Sequence, residues 1–451
     1  MYNQRHHANR QQIGFKRLMG GHVKMGVATL KRLLIILIIA CAAPSSMAQS
    51  GTSVGIGEAY TALARGSEAI YWNPANLGFQ NEGLPRISMS LYGLSMNLGN
   101  NSITRKLYDT YFTDENKVLS SQDITTILDA IPDAGLKGHF GTDVTILSIA
   151  MKNVGFGLSS SAIGTITAPK SAFEIPLQSI GQNNYDWTPK LDMEQVTRLN
   201  LAFGHVVARN INPIFYRGLL FREISVGINV AYLMGGGVLR TEHASFKTSV
   251  TDEGIMAKGS YTIKGTESPT GAVLGDGLGI DLAIAAKTKK QYTLALVLKN
   301  IYHKINWNRN TREYWGDLDT GDPKFLLGTG QLQDLDKDEV LKQYEKDIPG
   351  FSSSRKIDYR IAIGRTVQRY LYAAEIGSRQ QRFLLAVGAG IRWSFVHVFS
   401  SYRYHRDHNL NLGIGLGGKN FVFDLGLGWY GGITPGSYKG LVFGNSLRFG
   451  F

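Results

Sequence analysis

Strict alternation of apolar with small or polar residues recurs along most of this chain and constrains its fold more than any other feature. It is clearest in the segments 224–232, 278–285, 292–299 and 421–429. Successive side chains of a β-strand point to opposite faces, so each segment predicts a strand with one apolar and one small or polar face. The C-terminal residues 440–451 continue the pattern, and their apolar face comprises Leu441, Phe443, Leu447, Phe449 and Phe451. The chain is therefore predicted to be all-β.

The length and polarity of these segments favour a membrane barrel, although a soluble β-sandwich would also accept them. Strands of about 10 residues with an apolar outer face are typical of transmembrane barrels. After residue 48, no run of about 18 apolar residues offers a transmembrane helix. Only helices and closed barrels satisfy every backbone polar group in lipid. We therefore predict a transmembrane antiparallel β-barrel of about 14–16 strands.

The first 48 residues have the pattern of a signal peptide with an extended n-region. Lys31 and Arg32 precede an apolar stretch at 33–43, and cleavage is expected after Ala48. A lipoprotein-type cleavage before Cys41 is the alternative, with Cys41 becoming the lipidated first residue. Either way, export is predicted.

The formal charge of +13 overstates how basic the exported chain is. Seven Lys and Arg residues, and no Asp or Glu, lie before Gln49, which leaves +6 for the rest. This excess is scattered, so nucleic acid is not expected as a partner. There is no cysteine after Cys41, so stability must come from packing and hydrogen bonds rather than disulfides.

Sixteen candidate strands emerge from the alternation: 86–99, 142–151, 153–164, 197–208, 222–235, 238–249, 255–265, 276–286, 291–302, 357–366, 371–378, 383–393, 397–404, 409–417, 421–430 and 440–451. With the C-terminus on the periplasmic side, the long connections 100–141, 165–196 and 303–356 fall outside the cell and the short links fall inside. Such barrels have long outer loops and short inner turns. The connection 209–221 is long for an inner turn.

Two helices are predicted in the outer loops. Residues 121–131 have helical apolar spacing and end before Pro132, which places a helix over the mouth of the barrel. Residues 336–346 predict a charged helix. The nearby carboxylates begin like a calcium loop, with Asp334, Asp336 and Asp338, and Glu345 stands at the twelfth position, but Glu339 replaces the glycine of the sharp turn. A solvated, acidic start of a helix is the better interpretation, and no metal site is predicted.

The segment 49–85 differs from the barrel strands and is predicted to be a plug or hatch. It is rich in small residues and contains a turn at Asn73, Pro74 and Ala75. The sequence from Gly55 to Gly78, with its Glu-Ala-Ile-Tyr-Trp-Asn-Pro-Ala run, resembles the hatch of the long-chain fatty-acid transporter (FadL-like) superfamily. Residues 277–282, followed by a hairpin, Lys299, Asn300 and Trp307, resemble a paired strand of the same group. The predicted organisation is thus 1–48 signal peptide, 49–85 plug and 86–451 barrel.

The resemblance implies several functions, because the superfamily is split. It includes diffusion channels for hydrophobic molecules, usually with 14 strands, and PorV-like barrels that serve protein secretion. If the likeness extends to 14 strands, the hairpin 238–265 is an extended loop. We expect a multi-pass protein of the bacterial outer membrane that passes hydrophobic small molecules passively. The alternative is a non-transporting barrel that acts as a secretion accessory or surface-assembly partner.

The expected partners follow from this assignment. They are outer-membrane lipid, the barrel-assembly machinery, which would recognise Phe449 and Phe451 as the C-terminal signal, and either a hydrophobic ligand or secretion components.

Enzymatic chemistry and a cofactor are not predicted. The sequence lacks a Gly-x-Ser-x-Gly elbow, a His-Glu-x-x-His pair and a Walker loop. The histidines considered as catalytic or metal-binding candidates are His205, His303, His397, His405 and His408. His405 and His408 fall in a predicted outer loop, where an exposed polar turn is a better interpretation than a metal site or an acid–base pair. Asp281 and Asp424 alternate to the inner face and are predicted to face the lumen. A hydrogen bond to the plug is the favoured role for both, with lining of a polar path as the alternative.

Overall fold

The computed structural model of this chain describes residues 50–79, 85–114, 117, 119–178, 183–211, 220–251, 254–267, 272–321, 341–418, 420–432, 434 and 436–451. The predicted signal peptide with Ala48 and Cys41 lies outside these residues. So do Asp334, Asp336, Asp338 and Glu339 of the calcium-like sequence.

A closed antiparallel barrel of 14 strands, with five further strands, forms the body of the molecule. This confirms the predicted fold class. The strands of the ring are β1 (Ile87–Asn100), β2 (Leu136–Met151), β3 (Val154–Ala168), β5 (Lys190–Ile211), β6 (Phe221–Thr251), β8 (Gly275–Thr288), β9 (Tyr292–Trp307), β13 (Asp358–Val367), β14 (Tyr370–Arg379), β15 (Arg382–Trp393), β16 (Val396–His405), β17 (Asp407–Gly417), β18 (Phe421–Tyr430) and β19 (Gly440–Gly450). The five further strands are β4 (Asn183–Trp187), β7 (Gly254–Thr266), β10 (Thr311–Asp319), β11 (Leu341–Asp347) and β12 (Phe351–Ser354).

The first and last strands close the ring by pairing with each other. The register between β1 and β19 runs from Ser88 opposite Gly450 to Gly99 opposite Gly440. On β19, Leu441 and Phe443 point outward and are exposed, whereas Val442 and Ser446 are buried inside. Closure pairs the first strand with the last and so removes the free strand edges of the ring.

The sheet continues beyond the ring at one end of the barrel. The segments 222–235 and 238–249, predicted as two strands, are one strand of 31 residues, β6. Its distal half pairs with β4 and β7, β7 pairs with β10, and β10 pairs with β11. The expected extended hairpin at 238–265 is therefore present outside the ring, and it carries a five-stranded extension sheet in the order β4-β6-β7-β10-β11.

Connections of different length leave the two ends of the barrel. Those at 101–135, 169–189 and 308–357 leave one end, which we term the loop side. The links at 152–153, 289–291, 368–369, 394–395 and 418–420 leave the opposite end, the turn side. As predicted, the long connections lie on the loop side and most of the short links lie on the turn side. Two very short links, 380–381 and the single residue Arg406, nevertheless lie on the loop side.

Short helices accompany the barrel. The plug contains α1 (Gly51–Gly55), a 3-10 helix (Gly66–Glu68), α2 (Ala69–Trp72) and a second 3-10 helix (Pro74–Gly78). The loop side carries α3 (Arg105–Tyr111), α4 (Ser121–Asp129) and α5 (Ser171–Gln178). The helix predicted at 121–131 is confirmed as α4. Among the described residues, no helix has the length and apolarity needed to cross a membrane.

The charged helix predicted at 336–346 is wrong where the structure describes it. Residues 341–347 form β11 because they complete a ladder with β10, in which Lys346 lies opposite Glu313 and Tyr344 opposite Trp315. Ion pairing and ring stacking between the two strands supply contacts that an isolated helix lacks. Glu345, the twelfth residue of the calcium-like pattern, pairs instead with Arg312 at 2.9 Å.

Candidate functional site: a plugged barrel lumen

The plug begins with a helix whose N-terminus is satisfied by its own serines. The Ser53 amide donates to Ser50 Oγ at 3.2 Å, and the Ser50 amide donates to Ser53 Oγ at 2.8 Å. This reciprocal pair is a capping box. Directly after α1, Gly57 and Glu58 both have left-handed backbone, with φ of 64° and 68°. The chain therefore reverses sharply inside the lumen and aims the Glu58 side chain at the wall.

The predicted Asn73-Pro74-Ala75 turn folds the plug back on itself. Asn73 Oδ1 accepts a hydrogen bond from the Ala75 amide at 3.1 Å, and Pro74 begins the following 3-10 helix. Asn73 Nδ2 and Asn76 Nδ2 both donate to the Thr61 carbonyl at 3.1 Å. Two side-chain amides therefore satisfy a carbonyl that is buried away from water, which explains why this position of the motif needs Asn.

Wall glycines let the plug approach the strands at backbone distance. A Cβ on Gly227 would lie 2.1 Å from the Ala75 amide nitrogen, and one on Gly204 would lie 2.3 Å from the Pro74 carbonyl oxygen. Between them, Ser225 Oγ donates to the Ala75 carbonyl at 2.7 Å. The turn is thus seated directly on β5 and β6.

A buried ion network ties the centre of the plug to the wall. Both Glu58 carboxylate oxygens lie within 2.6 Å of Arg379, and Glu58 also pairs with Arg403 and, at 3.5 Å, with Arg360. Arg360 makes a second pair, at 2.7 Å, with Glu375. Burial raises the pKa of a carboxyl, but the three guanidiniums outweigh it and hold the pKa of Glu58 well below its usual range.

The network reaches the plug backbone through two further contacts. Glu375 Oε2 accepts from the Thr61 amide at 3.2 Å, and the Arg360 guanidinium lies 5.2 Å from the centre of the Trp72 ring. Glu58, Arg360 and Glu375 are all almost completely buried. Removing one member of such a network leaves uncompensated charge in the interior.

Asp281, predicted to face the lumen, lies there at an irregularity in the wall. Opposite Asp281, β9 has three residues, Lys299, Asn300 and Ile301, where regular pairing would have one. Asp281 Oδ1 accepts from the Asn300 amide at 2.8 Å, and Asp281 Oδ2 lies 3.1 Å from Lys299 Nζ. Lys299 Nζ also donates to the Tyr71 carbonyl at 2.5 Å. The aspartate thus replaces a missing strand partner and positions a lysine that holds the plug.

Asp424, the other predicted lumen residue, is fully buried and belongs to a second anchor. Arg448 donates to Asp424 Oδ2 at 2.6 Å and also pairs with Glu68 of the plug. Tyr60 donates to the same Glu68 carboxylate at 2.5 Å. Both predicted aspartates therefore reach the plug through a basic side chain, Lys299 or Arg448. Their predicted direct hydrogen bond to the plug is not formed.

Phe449 and Phe451, the predicted assembly signal, lie at the turn side. Phe449 makes an edge contact with Phe421, with ring centres 5.4 Å apart, and Phe451 is 68% exposed. Their recognition by the assembly machinery stays a prediction.

The candidate histidines are dispersed over the wall. His303 Nε2 lies 3.3 Å from Arg198, His405 Nε2 lies 3.2 Å from the Arg379 carbonyl, and His408 Nδ1 lies 2.6 Å from Tyr402 Oη. His205 packs on Phe203 and His397 on Phe399. In the described part of the chain, no group of three or more His, Cys, Asp or Glu side chains is placed to hold a metal ion.

Two small polar cavities lie between the plug and the loop side. One, of about 40 Å³, is lined by Arg198, Asp281, Lys299 and Arg360 among others. The second, of about 60 Å³, is lined by His139, Arg403, Arg406 and Tyr430 among others, and the two share Arg379. Above them, α3, α4 and α5 pack around a separate apolar cluster that includes Phe112, Ile127 and Phe173.

Among solved structures, the fold resembles that of FadL-type hydrocarbon channels. A TodX monoaromatic hydrocarbon channel, in a deltaS2S3 mutant form, has a TM-score of 0.51 at 11% identity, covering 90% of this chain and 100% of that chain. A Pseudomonas aeruginosa FadL homologue (TM-score 0.49, 12% identity, 90% and 100% coverage) and the Ralstonia pickettii toluene transporter TbuX (0.47, 10%, 90% and 99%) are also similar. No family model and no curated protein sequence matches this chain. The chain therefore has the FadL-like barrel fold, whereas the PorV-like branch stays a prediction.

Proposed function

We propose that this protein is a multi-pass barrel of the bacterial outer membrane that passes hydrophobic small molecules passively. The main observation in support is the closed 14-strand ring with an N-terminal plug in its lumen, in a fold shared with a hydrocarbon channel. Fold alone does not fix function, so the proposal also needs a physical route.

Apolar side chains at the mouth supply a first binding place. Leu107, Tyr108, Tyr111 and Ile124 are only partly buried where the loop-side helices pack together. A hydrophobic solute would lower its free energy by leaving water for this surface. Release into lipid requires a path that avoids the charged lumen below.

A gap in strand pairing along β9, on the edge that faces β12 and β13, offers a place for such a path. Strand β9 pairs with β13 up to Lys299 and with β12 from Lys304, and its residues between these two positions have no partner in either strand. The outward side chains there, Tyr302 and Ile357, are apolar and exposed. A side exit at this point would spare the solute from crossing the ion network.

Uptake into proteoliposomes tests the proposal. Vesicles that contain the refolded protein and enclose a quencher should take up a fluorescent hydrophobic amine, such as N-phenylnaphthylamine, from the outside. This uptake should be faster than in protein-free vesicles of the same lipid that enclose the same quencher. Sucrose should enter both at one rate, because the plug fills the lumen. Equal rates for the hydrophobic probe in the two kinds of vesicle would contradict the channel.

The extension sheet favours the alternative of a protein-interaction barrel. It carries two stacked aromatic pairs beyond the barrel ring, Trp187 with the buried Phe246 and Trp315 with Tyr344, of which Tyr344 is exposed. A secretion or surface-assembly partner would bind there. If this alternative holds, deleting residues 255–265 together with 311–347 should prevent the partner from binding or assembling and should leave uptake of the probe unchanged. If the deletion reduces uptake and leaves the partner's assembly intact, the result favours the channel.

A further inference from the structure

The outer surface of the ring has an apolar groove of about 460 Å³ across strands β8, β9, β13 and β14. We term it the outer groove. The outward side chains that line it include Ala286, Leu294, Leu296, Ile361, Ile363 and Ala374. Pockets that bind small molecules typically measure about 300–1,000 Å³, so the groove is large enough to hold part of an acyl chain.

The groove exists because two alanines interrupt a wall of larger side chains. One outward row across the four strands is formed by Ile284, Leu296, Ile361 and Ile376. The next row toward the turn side is formed by Ala286, Leu294, Ile363 and Ala374. Both ends of this second row carry a methyl group where the first row carries isoleucine, so the wall is lower there.

The outward row at the turn-side end of the groove carries a charge. Arg365 lies opposite Tyr292 on one side and Tyr372 on the other. Its guanidinium lies 4.6 Å from the centre of the Tyr292 ring, and Tyr372 is exposed. Strand β9 begins at Tyr292 and β13 ends at Val367, so this row lies near the edge of the ring. Tyrosine and arginine side chains at such an edge meet lipid headgroups.

The hydrogen bonds of Arg365 are incomplete. Among the described residues, its guanidinium donates one hydrogen bond, to Tyr292 Oη at 3.2 Å, and its Nε is buried without a partner. An arginine has five N–H donors, and a buried donor without an acceptor is costly. The oxygens of a lipid phosphate would supply the missing acceptors.

The charge around Arg365 is positive. The stretches 286–296 and 359–374 contain no Asp or Glu, and the adjoining turns carry the exposed Lys289, Lys290 and Arg369. Glu375 borders the groove, but its side chain is fully buried and paired with Arg360. The turn-side end of the groove therefore favours an anionic group, whereas its length favours hydrocarbon.

We propose that the outer groove binds one membrane glycerophospholipid, with an acyl chain along Leu294 and Ile363 and the phosphate on Arg365. The planar guanidinium offers paired N–H donors to two phosphate oxygens. The site requires only that the ring lies in a bilayer, so it does not depend on the passage of a solute through the protein.

Native mass spectrometry of the full chain in detergent tests the headgroup contact. The probes are phosphatidylglycerol and the diacylglycerol with the same acyl chains. The wild type should bind its first phosphatidylglycerol molecule at least tenfold more tightly than diacylglycerol, and Arg365→Gln should lose this preference. The matched control, Arg369→Gln, removes a charge from the same rim outside the groove lining and should keep it.

A second variant tests the groove itself. Ala374→Phe should fill the groove and weaken the binding of phosphatidylglycerol at least tenfold. Its control is Ala162→Phe, at an outward position of β3 outside the groove, which should bind like the wild type. An unchanged melting temperature establishes that each variant has folded.

Two results would overturn the site. If Arg365→Gln keeps the same preference as Arg369→Gln, Arg365 does not hold the phosphate. If Ala374→Phe then weakens the binding of both probes equally, the groove takes an uncharged apolar molecule instead. The other contrary result is equal binding of phosphatidylglycerol by Ala374→Phe and Ala162→Phe, which would place the bound lipid elsewhere on the barrel.

Discussion

Single residues in the plug show how a buried charge can be required by the fold. Glu58 has left-handed backbone, which is unfavourable for a side chain larger than that of glycine. Its carboxylate meets three guanidiniums that lie on three different strands, β13, β14 and β16. The ion pairs offset the backbone strain, and without them the three guanidiniums would repel one another in a dry interior.

Replacing the carboxylate, as in Glu58→Gln, should therefore destabilise the seated plug by about 3–5 kcal/mol at pH 7. The folded-state pKa of Glu58 is depressed, so its contribution is complete above the unfolded pKa of about 4.3 and declines as the pH falls below it. The difference in melting temperature between wild type and variant should accordingly narrow below about pH 4. Glu345→Gln, on the exposed face of β11, is the control and should not change the melting temperature. A difference that stays constant from pH 7 to pH 3 would refute this role.

At the scale of elements, close contact between the plug and the wall depends on glycines in the wall strands, which have no side chain. Gly227→Ala should loosen the Asn73-Pro74-Ala75 turn, because its new Cβ would meet backbone atoms on the plug. Overpacking of this kind typically costs about 1–3 kcal/mol. Limited proteolysis should then cut the plug faster than in the wild type. In Gly279→Ala, on the adjacent strand β8, the nearest atom lies 3.5 Å from the new Cβ, and protection should be retained.

Local alternation predicted the strands of the ring and the hairpin 238–265, but not the strands β4, β10 and β11 that complete the extension sheet. The β11 sequence Leu-Lys-Gln-Tyr-Glu-Lys-Asp has no apolar period, and only its distant partner β10 makes it a strand. The lumen was partly predictable, since Asp281 and Asp424 fall on the inner side of apolar strands. The same alternation applies to Arg360, Glu375 and Arg403, which sequence reasoning missed. The pairing of Arg360 and Arg403 with Glu58, 302 and 345 residues away in the sequence, depends on the closed ring.

At the scale of the whole molecule, the inner and outer surfaces of the barrel wall differ in the side chains that they carry. Inside, charged residues are paired and tie the plug to at least four strands. Outside, rows of apolar side chains cross neighbouring strands, as where Leu412, Leu427 and Phe443 lie side by side. Such a row is stable in lipid and unfavourable in water.

A charge in the centre of that row tests whether it faces lipid. Leu427→Arg should lower the free energy of unfolding of the protein in lipid vesicles by about 2–4 kcal/mol, because the guanidinium must enter hydrocarbon. Tyr344→Arg is the control, because Tyr344 is similarly exposed but lies on β11 beyond the ring, where water accepts the charge and only the stacking on Trp315 is lost. Urea titration of both proteins in lipid vesicles, followed by tryptophan fluorescence, measures the two effects. Equal stability of the two variants would mean that the row does not lie in a bilayer, and the proposed channel would lose its physical basis.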